Sequence, residues 1–174
     1  MAPPSVVNVP EVMLPLRIAA NAGSSRLYAG DRNATTLVAA NERVLVLSQE
    51  AEAMAEKLGD EQRLARVYTY LINYYYMKGE PELAIEYGER CLRIGTALGD
   101  SALQALARGC LGYSCHAQGK YRRAEAILRQ NVEALEGAWT QGEGTQAGIS
   151  YVTSSGWLAF TLAEIGEFEA ARGY

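Results

Sequence analysis

Residues 78–124 read KGEPELAIEYGERCLRIGTALGDSALQALARGCLGYSCHAQGKYRRA. The opening Lys78-Gly79 is answered by Gln118-Gly119 at a separation of 40, and Ala84 and Ala124 each follow their glycine by five residues. Inside the same stretch Leu98-Gly99-Asp100 repeats Leu58-Gly59-Asp60, again 40 apart. A third turn, at Gly166, has Phe168 and Ala171 two and five residues later. A fainter copy puts Ala39 where the glycine would stand and Val44 five residues on. A fixed period of this length is the mark of one supersecondary unit stacked on copies of itself.

Between the turns the apolar residues follow helical spacing. Val44, Leu47, Ala51, Met54 and Leu58 recur at three and four, as do Ala84, Tyr87, Cys91, Ile94 and Leu98 one period later. Asp60 and Asp100 come just after a glycine and just before a helix, the place of an N-cap. Pro81 suits a first helical turn, where a missing N–H costs little. No strand signal competes. The reading is an all-α solenoid of antiparallel helix pairs, with three to four units of roughly 40 residues. Units are expected at about 25–60, 61–100, 101–140 and 148–174, behind an N-terminal extension or cap over 1–24. Pro10 and Pro15 break that extension. Residues 137–148, GAWTQGEGTQAG, are expected to form a long loop because the glycine spacing grows there to 47. Within it Gly142–Gly148 looks superficially like a phosphate loop, but it lacks the Lys-Ser/Thr ending and follows a helix. The last unit stops inside its second helix, which suggests a piece of a longer protein.

Composition narrows the function classes. Hydrophobic residues make 49% of the chain and charged residues 21%, which is ordinary for a globular protein. With a net charge of -4 and no dominant basic patch, the chain lacks the pattern that nucleic-acid binding favours. The one local cluster, Lys120, Arg122 and Arg123, reads as a solvated helix start. Cys91, Cys110 and Cys115 are odd in number and lack metal-ligand spacing, so they read as small apolar residues in a reducing compartment. No apolar run reaches the ~20 residues of a membrane span. The opening segment is a poor signal peptide. The expected location is therefore cytoplasmic, with no nucleic-acid or membrane partner and no cofactor.

The unit resembles the tetratricopeptide repeat. Gly112, Gly119, Tyr121 and Ala124 match its pattern in unit two, and Ala159, Gly166, Phe168 and Ala171 match it in unit three. Unit one keeps Gly79 and Ala84 but has Ile72 and Pro81 at the other two positions. The usual proline at the repeat end is replaced by Leu-Gly-Asp. More narrowly, residues 24–174 are similar to the C-terminal repeat region of large bacterial ATPases, in which a cyclase-like or kinase-like domain precedes an AAA-type module. That resemblance implies a regulatory or scaffolding role inside a larger signalling protein. None of the metal-binding carboxylates or the ATP-binding lysine of such proteins has a counterpart here.

Stacked helix pairs leave the inner face of each first helix open to a partner. With Gly79 closing the first helix of unit one, Tyr68, Leu71, Ile72 and Tyr75 are expected in the core, with Tyr74 against the neighbouring unit. Arg66, Thr69, Asn73, Tyr76 and Met77 then face the groove. The next units add Tyr113, His116 and Ala117, then Phe160 and Glu164. Asn73, Tyr113 and Phe160 should line up, as should Tyr76 and His116. Aromatic rings with few rotors, and an amide, suit capture of an extended peptide; the alternative is that the rings pack between repeats. No catalytic constellation is found. Cys115 and His116 diverge on a helix, and Glu42, Glu50, Glu52 and Glu56 read as solvated surface. The density of small residues around Gly112 implies a close helix–helix approach. The expected function is a non-catalytic scaffold that binds a protein or peptide segment, or another domain of its own parent chain. A second copy, bound through the exposed repeat edge, is a further expected partner. A ligand- or peptide-sensing regulatory domain is the alternative.

Overall fold

The computed structural model describes residues 34–140 and 144–174, with side chains over 42–136 and 148–174. The expected extension over 1–24, and Gly142 of the glycine-rich stretch, lie outside them. The helices are α1 (Ala34–Leu58), α2 (Glu61–Lys78), α3 (Pro81–Ala97), α4 (Ser101–Ala117), α5 (Tyr121–Thr140), α6 (Gly144–Glu164) and α7 (Phe168–Ala171). Among the described residues there is no strand. Each helix packs on the next in sequence, and α4 also touches α2 and α6. The chain is an α-solenoid of helix pairs, with α2, α4 and α6 as successive first helices.

The turns form as their residues require. Gly59, Gly79, Gly99, Gly119 and Gly166 all take positive φ, between 62° and 84°. A side chain there would meet the following carbonyl, so glycine ends the helix at the lowest cost. At Gly79 the amide bonds back to the Tyr76 carbonyl at 3.1 Å and the Glu80 amide to Tyr75 at 2.9 Å, the paired bonds of a Schellman turn. The carboxylates of Asp60 and Asp100 then accept from the amides of Arg63 and Leu103, at 3.0 and 2.9 Å, and start the next helix. Pro81 occupies the first turn of α3.

Two expected breaks are absent. Helix α1 runs unbroken through Ala39, because Ala39-Ala40-Asn41-Glu42 offers no glycine to leave the helical region and no proline to stop it. The long loop expected over 137–148 is also not there. Helix α5 continues to Thr140 and α6 begins at Gly144. The seven residues that stretch the spacing from 40 to 47 lengthen these helices to 20 and 21 residues, against 17 in α3 and α4. A helical Gly144–Gly148 also removes the phosphate-loop reading.

Packing follows the repeat. The core around Ala65, Tyr68, Leu71, Ile72 and Cys91 passes into a second one around Leu111, Leu128, Leu158 and Leu162. Gly112 permits the tightest contact: a Cβ there would lie 2.4 Å from Leu128, which is itself fully buried. Gly88 does the same on α3, where a Cβ would lie 2.7 Å from Leu111. Equivalent positions also repeat their polar chemistry. The Cys91 thiol donates to the Ala65 carbonyl at 3.3 Å, and Asn131, forty residues on, donates to the Ala105 carbonyl at 2.9 Å. The three thiols are buried and free. Burial pushes Cys91 up to about 12 and Cys110 up to about 11, so neither is an available thiolate.

The three adjacent tyrosines separate, with one exchange against expectation. Tyr74 is buried, while Tyr75 and Tyr76 are half-buried. Tyr75 leaves the deep core because its ring stacks on Tyr87 of α3, with centroids 5.6 Å apart and planes 6° apart. Lys120, Arg122 and Arg123 do not form an open cationic patch. Arg122 pairs with Glu125 and Glu167, and Arg123 pairs with Glu89, tying neighbouring repeats along the second helices.

Candidate functional site

The first helices of three units bring their aromatic residues together. Tyr76 of α2 meets Tyr113 of α4 edge-on at 4.5 Å. Trp157 of α6 sits 6.0 Å from Tyr113, 6.4 Å from Tyr76, 5.2 Å from His116 and 6.0 Å from Phe160. The Tyr113 hydroxyl donates to Asn73 Oδ1 at 3.1 Å, so residues one period apart are direct neighbours. This bond leaves the amide hydrogens of the exposed Asn73 facing outward.

The cluster is graded from floor to rim. Tyr113 is buried, and burial holds its phenol well above the ordinary tyrosine range. Tyr76, His116 and Trp157 are half-buried. Phe160 is 66% exposed and Met77 55%. Residues so apolar and so open mark a surface that a partner would cover favourably. Arg66 is exposed, and the Thr69 hydroxyl is turned back to the Arg66 carbonyl at 2.7 Å. Of the eight residues singled out in the sequence, Asn73, Tyr76, Tyr113, His116 and Phe160 form one connected group. Arg66, Thr69 and Met77 lie on the same helix as Asn73 and Tyr76 but outside the ring cluster.

His116 is held by the Thr161 hydroxyl. When that hydroxyl donates to the Trp157 carbonyl at 2.7 Å, its oxygen accepts from His116 Nδ1 at 3.0 Å. Nε2 is then an acceptor. Burial lowers the His116 pKa below 6.5, with Glu164 pulling the other way, so the neutral ring dominates at pH 7.

Trp157 is the residue that sequence reasoning missed. At the spacing of 47 it is equivalent to Cys110, a core position, and nothing in periodicity distinguishes it. The indole is too large to be enclosed where a cysteine is, so it spreads onto the inner face and joins four other side chains. Its signal was size: Tyr70, Cys110 and Trp157 share one repeat position, and the indole is the bulkiest of the three.

Among the described residues no group of three or more His, Cys, Asp or Glu is placed to hold a metal ion. None of their helices is long and apolar enough to cross a membrane.

Residues 63–137 match the family model of the tetratricopeptide repeat. No curated protein matches the chain. Among solved structures, the crystal structure of BtubC (BKLC) from P. vanneervenii superposes with a TM-score of 0.50 at 14% identity, covering 96% of this chain and 88% of that one. At that identity the likeness concerns the fold alone. The glycine-capped helix pairs, the family match over residues 63–137 and this superposition agree on the fold: an α-solenoid of tetratricopeptide-like helix pairs.

Proposed function

We propose that the chain is a non-catalytic scaffold that binds an extended polypeptide segment on the aromatic inner face of α2, α4 and α6. The observation that carries this reading is the Tyr76–Tyr113–Trp157–His116–Phe160 cluster, open to solvent at Phe160. Rigid rings supply contact area without a large loss of rotamer freedom. Asn73 supplies outward amide donors and His116 an acceptor, which together match the carbonyl and N–H of an extended backbone. The Cys110 thiol beneath this face is buried with its pKa pushed up to about 11, and the Thr161 hydroxyl is turned back to the Trp157 carbonyl, so neither is an activated nucleophile. The resemblance read from residues 24–174 motivates placing the domain within a larger signalling protein of the cyclase-like ATPase kind. There the face would hold a partner or another domain of the same chain.

The test is a peptide selection on the purified domain. Peptides selected on the wild type are titrated against the Asn73→Ala/Tyr76→Ala variant, after circular dichroism confirms its helix content. Loss of about tenfold or more in affinity is the expected result, since ring contacts of this kind dominate such interfaces. Undiminished binding of every selected peptide would remove the face as the site.

A further inference from the structure

Gly109 sits in the middle of α4, where glycine costs stability relative to alanine. Gly88 and Gly112 have a packing reason, with Leu111 and Leu128 against their backbones. Gly109 has none. A Cβ there would meet Ser154 Oγ at 3.5 Å and Asn131 Nδ2 at 3.6 Å, which is ordinary contact. Gly109 lines a cleft of about 100 Å³ between α4 and α6, walled also by Leu106, Tyr113, Ile149 and Thr153. Gly156, one unit on, is likewise in mid-helix, with no atom of the described residues within 4 Å of a Cβ. Two helix-interior glycines thus share one repeat position, and no close contact among the described residues requires either.

The size and charge of this cleft select an occupant. An apolar cavity of ~150 Å³ accepts benzene, so the smaller space suits a branched aliphatic side chain rather than an indole. The chain is acidic overall, yet α4 contains no Asp or Glu and α6 only Glu164 at its last position. Arg66, at the α2 position equivalent to Leu106, is exposed and forms no ion pair among the described residues. Neighbouring helices lie about 9 Å apart, the span of about three extended residues. Resting on the scaffold reading above, we propose that the Gly109 cleft takes one leucine-sized side chain of the partner segment. A carboxylate about three residues away meets Arg66.

The probe is the blocked tetrapeptide acetyl-Asp-Ala-Ala-Leu-amide, added to ¹⁵N-labelled protein. The expected result is movement of the amide resonances of residues 105–113 and 149–154. Affinity should fall about tenfold when the probe leucine becomes alanine, from the apolar area lost. It should fall again when the aspartate becomes lysine. Gly109→Leu fills the cleft with its own side chain and should abolish the shifts. Gly109→Ala should fold and raise the melting temperature. Shifts that persist in Gly109→Leu, an indifferent probe sequence, or a lowered melting temperature in Gly109→Ala would each overturn the proposal. The two readings fail separately. Selected peptides that need Asn73 and Tyr76 but ignore Gly109→Leu keep the face and discard the cleft.

Discussion

Helix α4 has two faces that treat the same residue type in opposite ways. On the packed face, Gly112 lies against Leu128 so closely that a single added carbon would sit 2.4 Å from it. On the inner face, one turn earlier, Gly109 has room for that carbon and a cleft beside it. The first glycine exists because two helices must approach; the second is not explained by any neighbour. Composition alone cannot separate them, since both are small residues in a helix rich in small residues. The lesson is that the room left around a glycine, rather than residue identity, tells a packing glycine from one that packing does not require.

The largest effect is expected at Gly112. Gly112→Leu forces α4 and α5 apart and should cost about 3 kcal/mol, the upper part of the range for overpacked cores. The check is thermal unfolding followed by circular dichroism. An unchanged melting temperature would mean that α4 does not rest on Leu128, and the contrast with Gly109 would collapse.

Tyr113→Phe lies at the boundary of the two faces and keeps the ring while deleting the bond to Asn73. It should cost about 1 kcal/mol, the usual net worth of one such bond. Chemical denaturation measures it. A loss well above that figure would show that the inner face carries stability like the packed one.

The smallest effect concerns pH. The His116 pKa is lower in the folded protein than the ordinary 6.5, because burial opposes its charge. The folded state therefore binds fewer protons than the unfolded chain. Stability from this group is fully present above 6.5 and is lost as pH falls below it. Groups that face the ring are Glu164 on α6, which moderates the shift, and Tyr121 on α5. His116→Gln should show a smaller drop in melting temperature between pH 7 and pH 5.5 than the wild type. Equal slopes would place His116 in open solvent.

The repeat, its period and its helix pairs were legible in the chain because each turn is written locally. A glycine must take positive φ, an aspartate must cap, and both recur with the period. Asn73, Tyr76, Tyr113 and His116 could be placed on one face for the same reason: helix geometry fixes direction once a turn fixes the register. Three things were settled only by tertiary structure. The extra residues between units two and three went into longer helices, since glycine permits a loop without compelling one. Tyr74 and Tyr75 exchanged depth because the Tyr87 ring, from another helix, offered a stacking partner. Trp157, equivalent by spacing to the buried Cys110, is half-buried and touches Tyr76, Tyr113, His116 and Phe160, because an indole is too large for the space a cysteine fills. Periodicity states which way a side chain points; how far it must travel to find room depends on atoms from other repeats, which no local pattern contains.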